Sequence, residues 1–218
     1  MTLRTAVGSD CAGSAATPAP GCHDRPVPPE PALPVRPGSL LVSATSLTEA
    51  TFRRTVVYVV DHSSGGTLGV ILNRPSETAV HDVLPAWAAH AVRPRALFEG
   101  GPVTRDAALC LGTVREGSSA DGVTGLRTVH GPVVLVDLDA DPDDLAPLLD
   151  GVRVFVGYAG WSGGQLDGEL ARGDWLVLAS LPTDVLEPGR VDLWGRVLRR
   201  QPMPLALLAT HPLDTDRS

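Results

Sequence analysis

The sequence predicts an α+β domain, and three observations carry that reading. Strand-like runs succeed one another across short glycine-containing loops: Thr55 to Val60 and Thr67 to Leu72 flank His62-Ser63-Ser64-Gly65-Gly66, which signals an antiparallel hairpin. The helical stretches are few, short and scattered among the strands, without the regular alternation of a wound parallel sheet. The most informative stretch of the chain is Gly157-Tyr158-Ala159-Gly160-Trp161-Ser162-Gly163-Gly164-Gln165-Leu166-Asp167-Gly168-Glu169-Leu170. It reads as a strand that stops in a glycine-rich corner and re-emerges as a capped helix, bringing backbone close to another element or to a ligand.

Residues 1–37 contain eight prolines and no Phe, Trp or Tyr. So few large apolar groups cannot offset the entropy of ordering, so a disordered extension is predicted there, partly polyproline-like from Pro26 to Pro37. A domain over 38–200 follows, then a C-terminal tail over 201–218. Ser39 to Ser43 is the first strand. Thr55 to Val60 is β-branched and aromatic, and its nearly continuous apolar run predicts burial on both faces. Asn73-Arg74-Pro75 ends the hairpin's second arm, and a helix is expected over Thr78 to Leu84, before Pro85. Strands are expected at Ala96 to Glu99, Ala107 to Leu111 and Val133 to Val136.

Asp141-Pro142-Asp143-Asp144 is a helix start, with Asp141 as N-cap, Pro142 as the first helical residue and acids placed to suit the dipole. Leu145, Leu148 and Leu149 give this helix an apolar face and Gly151 its stop. Arg153 to Tyr158 is the next strand. In the glycine corner, Ser162 as N-cap and Gln165 compose a capping box, with Trp161 and Leu166 as hydrophobic staple. Gly173 ends that helix and Trp175 to Ala179 is a strand. Val191, Trp194, Val197 and Leu198 put an apolar face on a last helix.

At 218 residues the chain suffices for one domain with a full core. Its net charge is −7, and all 18 basic residues are Arg. An acidic balance argues against direct nucleic-acid binding, which draws on a basic stripe to displace counterions; Arg190, Arg196, Arg199 and Arg200 read as a solvated helix face. Cys11, Cys22 and Cys110 compose no disulfide framework, and Cys11 with Cys22-His23 lacks the spacing of a metal site. Cys110 reads as a buried small hydrophobe. No apolar run approaches the roughly 18–20 residues that span a bilayer, and no apolar stretch follows Arg4 as in a signal peptide. A cytoplasmic protein without a membrane segment, metal or cofactor is expected.

Three motifs bear on chemistry. Gly160-Trp161-Ser162-Gly163-Gly164 matches the G-x-S-x-G of a hydrolase nucleophile elbow, and Asp184 or Asp192 followed by His211 could complete the order. An elbow needs a parallel sheet, however, whereas the hairpin signals antiparallel pairing, and capping gives Ser162 a structural role. Free amides at the same corner could hold an anion; close packing of backbone on backbone is the stronger reading. Gly100-Gly101-Pro102-Val103 is a second tight turn. The six histidines are scattered, and His62 reads as a turn residue.

Together the segments Gly38-Ser39-Leu40-Leu41-Val42 with Phe52 and Arg53, Gly69-Val70-Ile71-Leu72-Asn73-Arg74-Pro75, Gly100-Gly101-Pro102-Val103, and Gly157 to Trp161 with Gln165, Leu166, Glu169 and Trp175 resemble the YqgE/AlgH family of bacteria. The resemblance implies a bifurcated, largely antiparallel sheet curled into a pseudo-barrel flanked by short helices. It implies no agreed activity: members are often labelled transcriptional regulators, yet the family has no helix-turn-helix and no established catalytic residues. The chain departs from it in the Pro-rich N-terminus and in Gly112, where many members are expected to carry histidine, which weakens any His-based chemistry.

The leading expectation is a non-enzymatic binding domain for an unknown protein or small-molecule partner. Its recognition surface would be built from Asn73, Arg74, Pro75, Gly100, Gly101, Pro102, Gly157, Tyr158, Gly160, Trp161, Gln165 and Glu169, since binding residues favour loops on a rigid scaffold. The bland counterpart makes Trp161 and Trp175 core, and Asn73 and Arg74 ties between loops. A regulator acting through a protein partner and a serine hydrolase at Ser162 are the alternatives.

Overall fold

One long strand organises the molecule. In a computed structural model, residues 33–189 and 191–211 are described; Cys11, Cys22, His23, Arg190 and most of the predicted extension lie outside them. In chain order the elements are β1 (Ser39–Ser43), β2 (Val56–Ser63), β3 (Gly66–Ile71), β4 (Pro75–Ala79), α1 (Val80–Val83), β5 (Ala96–Glu99), β6 (Val103–Val114), β7 (Leu126–His130), β8 (Val133–Val136), α2 (Pro142–Leu145), β9 (Leu149–Ser162), α3 (Gln165–Ala171), β10 (Trp175–Ala179), α4 (Pro182–Val185) and α5 (Leu193–Arg199). Short 3-10 helices occupy Pro85–Trp87, Ala146–Leu148 and Leu205–Thr210.

The main path of the sheet runs β10-β1-β2-β3-β9-β6-β8-β7, and β4 and β5 join it at β9. Antiparallel β6 takes one edge of β9 from Leu149 to Tyr158. Along the other edge, β5 pairs in parallel at Phe155 and Val156, and β3 takes over antiparallel from Ala159 to Ser162. The sheet therefore forks at residues 157–158 of β9. Its curl into a half-barrel wraps a core of Leu40, Val42, Val56, Tyr58, Phe98 and Phe155, closed by Trp194, Val197 and Leu198 of α5. Alternate residues Leu41, Val57 and Val59 face a second cluster with Trp161, Leu166 and Trp175, so β2 is buried on both faces as its apolar run predicts. A third cluster, with Trp87, Cys110, Leu145 and Val154, covers the other branch.

Several expectations need correction. The helix over Thr78 to Leu84 shrinks to α1, because Pro75–Ala79 is drawn into pairing with β5. Asp141 does cap α2, accepting from the Asp143 amide at 3.0 Å with Pro142 at the first position. That helix ends at Leu145, however, since Pro147 two residues on has no N–H for the ladder and its ring crowds the carbonyl four residues back. Leu149 and Gly151 thus belong to β9. The strand expected over Arg153 to Tyr158 runs on to Ser162, bending at Gly157 (φ 69°) where it was predicted to stop. Gly164, with φ 76°, precedes α3 at the N-cap position in place of Ser162. The edge strand β7 was unforeseen, as was β4, which opens on Pro and carries mostly polar side chains. Met203 to Ala209, which the sequence allows as a short packed segment within the tail, does pack: Leu205, Leu208 and Ala209 lie on the main core.

Candidate functional site

Where the sheet forks, backbone meets backbone without room for side chains. The amide of Gly100 donates to Val156 O at 2.8 Å and its carbonyl accepts from Ile71 N at 2.9 Å, so this one residue ties β5, β9 and β3 together. A Cβ on Gly100 would collide with the Gly157 carbonyl, one on Gly101 with the Tyr158 backbone, and one on Gly157 would lie 2.6 Å from Gly101 O. Glycine at these three positions is required by close approach.

Beside the fork the diverging branches leave a cleft of about 570 Å3. Val156 and Ala50 supply its accessible apolar surface, with Ile71, Leu97 and Phe98 buried beneath; Thr51, Arg74, Ser76, Thr78, Glu99 and Arg105 supply its polar groups, with Gly101 and Pro102 at the turn. Two of the three predicted loops therefore meet here. Arg74 Nη2 donates to Arg53 O at 2.5 Å, and its own carbonyl accepts from Glu99 N at 2.8 Å. Burial holds the Arg74 guanidinium below its ordinary pKa; Glu99 opposes that shift and Arg53 adds to it. Asn73 is a tie: Oδ1 accepts from Val56 N at 3.0 Å and Nδ2 donates to Arg54 O at 2.8 Å. Pro75 is exposed and stands opposite Phe98 in the β4–β5 pair.

The third predicted loop is a separate construction whose residues do not line this cleft. Trp161 and Trp175 are 6% and 3% exposed, cross edge-to-face at 5.7 Å, and enclose Phe52 at 6.3 and 5.4 Å. Glu169 Oε2 accepts both indole N–H groups at 2.8 Å, while Oε1 accepts from Gln165 Nε2 at 3.1 Å. Trp161, Gln165 and Glu169 are thus committed to one another. Tyr158 is half-buried, its hydroxyl accepting from Thr104 Oγ1 at 3.3 Å, and Gly160 is exposed with the Tyr158 ring nearby.

Half of the expected capping box exists. Gln165 Oε1 accepts from the Ser162 amide at 3.1 Å, but the Ser162 hydroxyl bonds to that same oxygen at 3.3 Å, so it does not cap the helix. Ser162 ends a strand paired antiparallel to β3, unlike an elbow on a parallel sheet. Asp184 binds Arg200 through both oxygens at 2.7 Å and the Leu181 amide at 2.7 Å; Asp192 caps α5 through Gly195 N. Arg196 and Arg199, the other described members of the arginine cluster, pair with Glu187 and Asp192. His62 Nδ1 lies 2.7 Å from Thr67 Oγ1 in the hairpin. Among the described residues, no three His, Cys, Asp or Glu side chains gather as a metal site would require, and no helix is long and apolar enough to cross a membrane.

Sequence reasoning missed Thr51, Ser76, Thr78, Glu99 and Arg105 as cleft residues. The available signal was Thr104-Arg105-Asp106, a polar interruption between a glycine turn and an apolar strand.

The AlgH-like family model (DUF179) matches residues 40–206. A UPF0301 protein of Rhodococcus jostii is 65% identical over 196 residues, covering 90% of this chain and 96% of that one. A UPF0301 protein of Mycolicibacterium smegmatis is 66% identical over 184 residues, or 84% and 92% of the two chains. A crystal structure of a Corynebacterium diphtheriae protein superposes with a TM-score of 0.80 at 41% identity, over 83% of this chain and 94% of that one. The solution structure of AlgH from Pseudomonas aeruginosa shares the fold, with a TM-score of 0.60 at 24% identity over 80% and 93%. The chain therefore belongs to the AlgH-like UPF0301 family.

Proposed function

We propose that the protein is a non-enzymatic cytoplasmic binding domain whose ligand site is the cleft at the sheet fork. The observation that carries this reading is convergence: two of the loops singled out by their glycines and polar groups line one concavity of about 570 Å3, within the size range of ligand pockets. The cleft stands on paired strands, which hold polar groups in fixed positions. Its described lining offers hydroxyls, two guanidiniums and one carboxylate, and neither an imidazole nor a thiol, which favours binding over nucleophilic chemistry. The buried, unpaired Cys110 thiol suits a reducing compartment.

The test is a small-molecule fragment screen read by amide chemical shifts in the full chain. Hits should move the amides of Ser76, Glu99 and Gly101, and Ser76→Trp, which fills the cleft, should abolish those shifts while the fold is retained. A diverse library that leaves these amides in place, or hits that move other surfaces alone, refutes the assignment.

A further inference from the structure

Among the described residues the other buried and half-buried arginines, Arg54, Arg153 and Arg200, are well partnered, and Arg74 in the cleft departs from them. Arg153, 2% exposed, donates to the carbonyls of Arg93, Val185, Leu186 and Glu187 and lies 4.3 Å over the Phe98 ring. Arg200 takes both oxygens of Asp184 and the Ala179 carbonyl. Arg74 is half-buried yet makes one side-chain hydrogen bond, to Arg53 O, and no ion pair among the described residues. A guanidinium carries five N–H donors, so most of those on Arg74 are left for water or a ligand.

Arg105 reaches the same cleft by an unusual backbone route. Between the pairs Val103–Tyr158 and Ala108–Val156, β6 advances five residues (103 to 108) while β9 advances two (158 to 156). The excess forms a bulge that opens with Thr104 at φ 48°. A β-branched residue in the left-handed region is strained, and such strain gathers at functional sites; bulges likewise re-aim side chains beside them. Gly157 makes room for the start of the bulge, since a Cβ there would lie 3.0 Å from Val103 O. Arg105 is exposed, with no hydrogen bond or ion pair among the described residues. Two guanidiniums and the carboxylate of Glu99 leave the lining with one net positive charge in an otherwise acidic chain.

We propose that the cleft binds an amphipathic organic anion, its oxyanion held by Arg74 and Arg105 and its apolar part laid on Val156, Pro102 and Ala50. The inference rests on the binding role given to the cleft above. Guanidinium donors match both carboxylate and phosphate oxygens. The apolar surface selects against inorganic ions, and Glu99 at the rim repels dense polyanions.

The test titrates the full chain with octanoate, octyl phosphate, octanol and octyltrimethylammonium, following the amides of Ser76, Glu99 and Gly101. Both or either of the anions should bind saturably, at least about tenfold more tightly than octanol, and the cation should not bind; the tighter anion identifies carboxylate or phosphate as the natural group. Arg105→Glu, at a side chain without described partners, should keep the melting temperature and weaken the anions about tenfold or more while leaving octanol unchanged. Octanol binding as tightly as the anions, or Arg105→Glu leaving them unaffected, overturns the charge argument while the cleft remains a binding site. If none of the four probes moves these amides, the inference falls; a fragment screen that still finds the cleft would show that the binding role survives it.

Discussion

Replacing Glu169 by Ala should unfold the protein's edge without touching its cleft. The carboxylate accepts two indole N–H groups on one oxygen, from Trp161 and Trp175, each at 2.8 Å. Both rings are nearly inaccessible to water, at 6% and 3% exposure. Removing the acceptor leaves two buried donors unpaired, at about 1–3 kcal/mol each, so about 2–6 kcal/mol is expected for the whole change, the exposed Gln165 contact adding little. For a domain of this size that corresponds to a melting temperature lower by roughly 4–24 °C. Glu169→Gln keeps an acceptor oxygen for the indoles but turns an amide toward Gln165, and should cost only about 1 kcal/mol. Urea denaturation followed by tryptophan fluorescence measures both. Ligand-induced shifts at Gly101 should persist in both variants under folding conditions. A Glu169→Ala protein within about 0.5 kcal/mol of the parent would show that the indoles find other partners, and would remove the structural role assigned to Glu169.

Gly157→Ala should destabilise by about 3 kcal/mol, combining a left-handed φ of 69° with a methyl carbon 2.6 Å from Gly101 O; Gly164→Ala, at φ 76° but with open space around it, should lose only about 1 kcal/mol. Equal denaturation midpoints for the two would refute the packing argument at the fork. Burial pushes the Cys110 thiol well above its ordinary pKa of 9.0. The folded state then keeps its proton where the unfolded chain releases it, so this contribution to stability is intact below 9.0 and declines as pH rises past it. The loss should reach roughly 1 kcal/mol over the next pH unit and be absent from Cys110→Val, as measured by denaturation at matched ionic strength; a parallel decline in both proteins would locate the titration elsewhere.

What could be read from the sequence was local or periodic. The unbroken apolar run of β2 announced burial on both faces, Asp141-Pro142 announced a capped helix, and the α5 face of Trp194, Val197 and Leu198 announced its packing. The S-x-x-Q pattern at Ser162 identified a real contact but not its direction, because Gln165 reaches back to the strand while Gly163 and Gly164 make the turn. The hydrogen bonds that satisfy Trp161 and Asn73 are internal, as expected of a core ring and a tie between loops. Arg105 was illegible for a different reason. Its place in the cleft depends on a bulge whose length is set by the strand across from it, and pairing register between residues some fifty positions apart leaves no mark in local composition.

The same geometry accounts for the glycines at the fork. β9 changes partners along one edge, from β5 to β3, while β6 stays on the other. A strand whose neighbours diverge must be crossed by the connecting turn, and at Gly100, Gly101 and Gly157 the crossing leaves no space for a Cβ. Divergence also opens a wedge between the branches, and that wedge is the cleft. Glycine at the fork is therefore demanded by the architecture, whereas Arg74, Ser76, Glu99 and Arg105 around the opening are not needed to close the fork. The side chains of Glu99 and Arg105 make no hydrogen bond or ion pair among the described residues, so changing their charge should leave the fork intact and alter only the proposed binding preference of the cleft.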